Sequence, residues 1–207
     1  MHRHIKQVVS QGLPLAQAQK ALIMIHGRGA SAEAILQLSQ QLKVDGFTLL
    51  VPQAKDNTWY PHSFMAPVAQ NEPGLSTGLG VIYELVAEVK ESGIATNAIF
   101  FLGFSQGACL CSEFVARNGT QYGGVFLFSG GLIGAEIDRG PYQGDFKNTP
   151  IFLGCSDVDS HVPLHRVQES TAVFCEMGAQ VTERIYPNAP HSVFANEIAF
   201  ANAILSQ

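Results

Sequence analysis

Charge is scarce in this chain. Asp, Glu, Lys and Arg together make up 14% of 207 residues, the formal net charge is −5, and no cluster of Lys and Arg occurs anywhere. A nucleic acid or an anionic membrane surface needs a basic footprint, so neither is expected as a partner. Long apolar runs are missing too. No segment approaches the roughly 18 residues of a spanning helix, so stable membrane insertion is not expected. The opening Met1 to Gln7 leads into no apolar segment of the kind a secretory leader carries. Cysteine is sparse, with Cys109, Cys111, Cys155 and Cys175 in no disulfide-framework or Cys-x-x-Cys spacing. Cys109 and Cys111, two apart on a helix, face different directions and cannot grip one metal. Four buried thiols in a reducing cytoplasm are the expectation. His2 and His4 alternate at what reads as a mobile terminus. His161 and His165 straddle a helix start without the glutamate of a zinc peptidase. No metal and no other cofactor is expected.

What the chain does have is a hydrophobic content of 46%, enough for one well-filled core, and the whole of 1–207 reads as a single domain. Lys20–His26, Phe47–Val51, Ile99–Leu102, Val125–Phe128 and Pro150–Cys155 are short apolar runs of the kind that form strands covered on both faces. Ile5–Val9 reads as an edge strand, and Val181–Tyr186 as the last strand. Helices are predicted at 34–42 with Ser31 as N-cap, at 79–92, after Gly107, at 163–177 and around 197–205. Strands alternating with amphipathic helices imply a mostly parallel sheet flanked by helices on both faces, with no separate cap domain. The stretch from Gln53 to Ser76 is long, irregular and rich in proline, and such a loop inside a compact domain is usually functional. Its Trp59, Tyr60, Phe64 and Met65, with Leu132 from a later loop, are the candidate apolar pocket wall. A small satellite core that pins the loop is the alternative for the aromatic cluster.

Gly103-Phe104-Ser105-Gln106-Gly107 falls between an apolar strand and a helix. Gly-x-Ser-x-Gly in that setting is the pattern of a nucleophile elbow. There the serine occupies a strained corner, and side chains two residues to either side would collide. The helix that starts at the serine aims its free N–H groups at any developing anion. A serine hydroxyl needs an imidazole to take its proton, and the imidazole needs a carboxylate to fix its tautomer. Ser105, an aspartate and His191 follow in that chain order, each in a loop after a predicted strand, as in an α/β-hydrolase.

These residues carry a resemblance. With His26-Gly27-Arg28-Gly29, the elbow, an Asp-bearing loop ending Val162-Pro163 and Pro187 to His191, the chain resembles the phospholipase/carboxylesterase group of α/β-hydrolases. The resemblance runs from about residue 20 to 205. It implies Ser105 as nucleophile, His191 as general base, and an oxyanion hole made by the backbone N–H groups of Arg28 and Gln106. The family pattern places glycine three residues before the acid and Val-Pro three residues after it. Gly154 then selects Asp157, whereas Val162-Pro163 selects Asp159. We take Asp157 as the acid, because the strand end anchors its reach, with Asp159 as the alternate. His26 reads as a residue that orients the oxyanion loop. The Arg28 side chain is either a solvated charge or a contact for a ligand carboxylate or phosphate.

The expected activity is hydrolysis of carboxylic esters, thioesters or lysophospholipids through an acyl-enzyme on Ser105, with a small-molecule ester as substrate. A non-catalytic ligand-binding module on the same fold and a dienelactone-hydrolase-like enzyme are the alternatives. The helices after Pro163 and at the C-terminus are where a homodimer contact would form.

Overall fold

The protein is described here from a computed structural model, covering residues 2–207. Seven strands form one sheet: β1 (Val8–Gly12), β2 (Lys20–Ile25), β3 (Phe47–Pro52), β4 (Ile99–Phe104), β5 (Gly124–Phe128), β6 (Pro150–Ser156) and β7 (Gln180–Tyr186). Their order is β1-β3-β2-β4-β5-β6-β7. Only β1 runs antiparallel to its neighbour, and the remaining pairs are parallel.

Five helices cover the sheet: α1 (Ala32–Leu36), α2 (Gly74–Glu91), α3 (Gln106–Arg117), α4 (Leu164–Glu176) and α5 (Ala195–Leu205). Alternate residues of each buried strand face opposite sides. Ile23, Phe101, Leu127 and Leu153 pack with α2, α3 and α4 on one face. Leu22, Leu102, Phe126 and Phe152 pack with α1 and α5 on the other. This two-sided burial is why β2, β4, β5 and β6 read as unbroken apolar runs.

Several boundaries differ from the sequence expectation. β1 begins at Val8, opposite Pro52 where β3 ends, and closes at Gly12, which is pressed onto β3. A Cβ there would lie 2.3 Å from the Phe47 carbonyl oxygen, and φ is +84°. α1 spans Ala32–Leu36 and tightens into a 3-10 turn at Gln37–Gln41. Ser31 caps it as predicted, its Oγ accepting from the Ala34 N–H at 3.3 Å. α2 starts at Gly74, five residues before Leu79. Its glycines, which suggested loop, let it settle under Trp59: a Cβ on Gly74 would stand 2.9 Å from the Trp59 carbonyl oxygen. Cys175 is exposed, whereas Cys109, Cys111 and Cys155 are buried. Among the described residues, no helix is long and apolar enough to cross a membrane.

Glu197 joins α5 to the sheet. It is fully buried, its Oε2 accepts from the Phe194 N–H at 2.8 Å, and its Oε1 has no partner. That oxygen lies against Gly154 of β6, where a Cβ would sit 1.8 Å from it. Burial raises the carboxyl to about 7, against the lowering by the Phe194 N–H. The folded chain therefore holds a proton that the unfolded chain releases between its ordinary carboxyl range and about 7. The stability this contributes is present at low pH and is lost as pH rises through that window. Glu197→Gln is expected to flatten the decline in melting temperature between pH 5 and pH 8. An unchanged slope would show that Glu197 is ionised throughout.

Candidate active site

Ser105 sits between β4 and α3 with φ 55° and ψ −121°, a conformation L-residues seldom adopt. The flanking glycines make it possible. A Cβ on Gly103 would lie 2.7 Å from the Ala108 backbone, and one on Gly107 would lie 2.1 Å from the Ile25 carbonyl oxygen. The corner is tied by Ser105 N–H to the Phe128 carbonyl (2.9 Å) and Cys109 N–H to the Ser105 carbonyl (3.0 Å).

The Ser105 hydroxyl lies 2.9 Å from His191 Nε2, and His191 Nδ1 lies 2.6 Å from Asp159 Oδ2. Because a carboxylate only accepts, Nδ1 carries the proton and Nε2 is the acceptor for the serine hydroxyl. His191 comes from the loop after β7, its ring packed between Phe104 and His161 with centroids 5.0 Å from each.

The carboxylate that reaches His191 is that of Asp159, and the Asp157 assignment is corrected. Asp157 continues the β6–β7 ladder, with its N–H on the Tyr186 carbonyl at 3.3 Å. Its exposed carboxylate accepts from the Asn188 N–H at 2.7 Å, so it staples the two loops. Asp159 lies two residues further on, where the chain turns back. Its Oδ1 accepts from the N–H groups of His161 (2.8 Å) and Val162 (3.0 Å), and its side chain is fully buried. Burial pushes this carboxyl up, but the bonds from His191 and the two backbone donors outweigh it and hold it below the ordinary value.

The loop His26-Gly27-Arg28-Gly29 follows β2. His26 is buried, with Nε2 accepting from the Ala54 N–H (3.1 Å) and Nδ1 donating to the Gly27 carbonyl (2.8 Å). Burial lowers its pKa, and this neutral tautomer fits both bonds. A Cβ on Gly27 would come within 3.3 Å of Ser105 Cβ, so the loop passes directly over the serine. The backbone N–H groups of Arg28 and Gln106 donate to no other described residue.

A cavity of about 510 Å³ opens above Ser105. Tyr60 and Phe64 line it, together with Phe104, Cys109 and Val162. Three expected wall residues lie elsewhere. Trp59 is fully buried, its indole N–H donating to the His26 carbonyl at 2.9 Å, so it supports the loop after β2 from below. Leu132 is buried in the core, its N–H on Ser170 Oγ. Met65 lines a separate depression beside Glu136 and Arg166. Cys109 and Cys155 are kept as thiols by burial, which raises each to about 12.

Some supporting residues gave no signal in the sequence. The Gln106 side chain accepts from the Trp59 N–H (2.9 Å) and donates to the Tyr60 carbonyl (2.8 Å), fastening the aromatic loop to the elbow. His2 and His4 are not at a mobile end. They bond to the Thr58 and Trp59 carbonyls at 2.6 and 2.7 Å. Arg166 is buried and donates to the carbonyls of Leu132, Gly134 and Ala135.

A model of the phospholipase/carboxylesterase family matches residues 5–207. The crystal structure of a phospholipase/carboxylesterase from Dyadobacter fermentans is 46% identical and superposes with a TM-score of 0.98, covering 100% of this chain and 99% of that one. Acyl-protein thioesterase 1 of Neurospora crassa is 26% identical, over 89% of this chain and 84% of its own length. The carboxylesterase of Bacillus cereus is 16% identical with a TM-score of 0.78, covering 98% of this chain and 94% of that one, a likeness of fold alone.

Gly107→Ala sets a Cβ against rigid backbone carbonyls and is expected to destabilise the fold by ~1–3 kcal/mol or more. Gly80→Ala in α2, where a Cβ meets nothing within 4 Å, is expected to stabilise it by ~0.5–1 kcal/mol. Urea denaturation of the two variants compares them, and equal midpoints would refute the packing argument.

Proposed function

The chain belongs to the phospholipase/carboxylesterase family of hydrolases, and within it we propose an esterase that works through an acyl-enzyme on Ser105, with His191 as general base and Asp159 as its acid partner. The carrying observation is the unbroken chain from Ser105 Oγ through His191 to Asp159, at 2.9 and 2.6 Å. As Ser105 Oγ attacks the carbonyl carbon, its proton passes to His191 Nε2. Asp159 stabilises the imidazolium and keeps its ring in place. The oxyanion that forms is held by the Arg28 and Gln106 N–H groups, which have no competing partner. Collapse expels the alcohol, which takes the proton from His191. Water then enters by the same route in reverse order, and the acid leaves.

The carbonyl chemistry is the same for an oxygen ester and a thioester, and the resemblance to a fungal acyl-protein thioesterase supports including thioesters. With no cap domain over the cavity, small soluble esters fit it better than long lipids. Unpaired cysteines fit a reducing cytoplasmic setting.

Ser105→Ala is expected to abolish ester turnover in a folded protein, and to abolish the single adduct that a fluorophosphonate leaves on the wild type by intact mass. Asp159→Asn is expected to lower kcat by up to ~10⁴ through the wrong imidazole tautomer. Asp157→Asn is expected to lower it far less. A larger loss from Asp157→Asn, or an adduct on Ser105→Ala, would overturn the assignment.

A further inference from the structure

The chain is acidic overall, yet the wall of its active-site cavity has the opposite character. Among the described residues that line it there is no Asp or Glu, whereas Arg28, His62, His161 and His191 all contribute. The Asp159 carboxylate behind the site is fully buried and takes hydrogen bonds from His161, Val162 and His191.

Arg28 has an unusual set of partners. Its Nη1 donates to the Pro61 carbonyl (2.9 Å), and its Nη2 to the carbonyls of Tyr60 (2.9 Å) and His62 (2.6 Å). These neutral acceptors fix the guanidinium in position without balancing its charge. No carboxylate among the described residues lies within ion-pair distance of it. Three of its five N–H groups are used, which leaves two for a ligand. The platform beneath is itself held, since the His62 N–H donates to Asn71 Oδ1 (2.9 Å) and fully buried Asn71 donates to the Ser63 carbonyl (2.9 Å). The side chains of His62 and His161 bond to no other described residue, so their ring N–H groups are available at the same rim.

From this we propose that the preferred substrates are small esters carrying a carboxylate on the acyl or the alcohol arm. The carboxylate is received by the Arg28 guanidinium with the imidazoles of His62 and His161, while the apolar part of the ester meets Phe64 and Val162. One permanent positive charge suits a monoanion better than a dianionic phosphate. A fixed cation costs little reorganisation when the anion arrives, and a concave wall without acidic groups concentrates its field. The inference rests on the ester-hydrolase reading and adds to it the class of substrate.

The test uses pairs in which a methyl replaces the carboxylate. Ethyl hydrogen succinate, glutarate and adipate are compared with ethyl butanoate, pentanoate and hexanoate, and 3-acetoxypropanoate with propyl acetate, all by pH-stat on the full chain. For at least one pair kcat/KM is expected to favour the carboxylate, with the preference shrinking as ionic strength rises. In Arg28→Gln the carboxylate-to-methyl ratio is expected to fall about tenfold, through loss of a charge-assisted hydrogen bond. Arg28→Lys, which keeps the charge, is expected to retain part of the ratio, and far-UV circular dichroism checks that both variants fold. Equal kcat/KM within every pair, or an unchanged ratio in folded Arg28→Gln, overturns the inference and leaves the esterase reading standing. Turnover of no ester in any pair would instead bring down the esterase reading and the inference with it.

Discussion

The backbone of Ser105 is the constraint around which the site is built. A non-glycine residue at φ 55° and ψ −121° costs on the order of 1–3 kcal/mol and survives only where its surroundings over-determine it. Here Gly103 and Gly107 let the first turn of α3 press against β4 and the end of β2, at distances no side chain tolerates. The carbonyls of Phe128 and Ser105 then take the two N–H groups that lock the corner. That close approach requires the ends of β2, β4 and β5 to stand side by side in register, with helices pressed on both faces. The apolar sheet is therefore the scaffold that stores the strain, and the outcome is a serine hydroxyl held against an imidazole.

A second layer of order comes from polar side chains that anchor the stretch after β3. The amides and carbonyls of the irregular stretch after β3 are met partly by backbone turns and partly by the side chains of Gln106, His26, His4, Asn71 and Arg28. Each bond is modest, but an unmet buried polar group is expensive, so the network permits few alternative loop positions. Burial also lowers His4 and His26, keeping them neutral and able to accept from a backbone N–H on one side while donating on the other. The loop that shapes the cavity is thus held by side-chain hydrogen bonds as well as by its two short 3-10 turns, Lys55–Asn57 and Val68–Asn71.

The sheet and the elbow were legible because each rests on a short-range rule. Two-sided burial writes continuous apolar runs, and the strained corner demands small residues at fixed offsets from the serine. Side-chain direction in an irregular loop obeys no such rule. Composition showed that Trp59, Tyr60, Phe64 and Met65 form an apolar group, but not that Trp59 points beneath the loop after β2 while Phe64 faces the cavity. Nor does a helix started by Gly74 and Gly78 announce itself, since its reason for glycine is the Trp59 backbone against Gly74 and the indole against Gly78. The N-terminal histidines looked unanchored for the same reason: their partners, Thr58 and Trp59, lie more than fifty residues away.

The two aspartates show where such reasoning reaches its limit. Measured from the strand, Asp157 is the first carboxylate available, and it spends that position on the ladder and the Asn188 amide. Measured from the helix side, Asp159 stands two and three residues before N–H groups that fold back onto its own carboxylate, the geometry Asp adopts in a turn. A buried charge needs several donors, and only Asp159 gathers three. The bonds from His161 and Val162 tie the Asp159 carboxylate to the residues that follow it. The downstream Val162-Pro163 spacing was therefore the stronger guide to the carboxylate that meets His191. The distance from Gly154 was the weaker guide, because it leads to Asp157, whose carboxylate is turned to the Asn188 N–H.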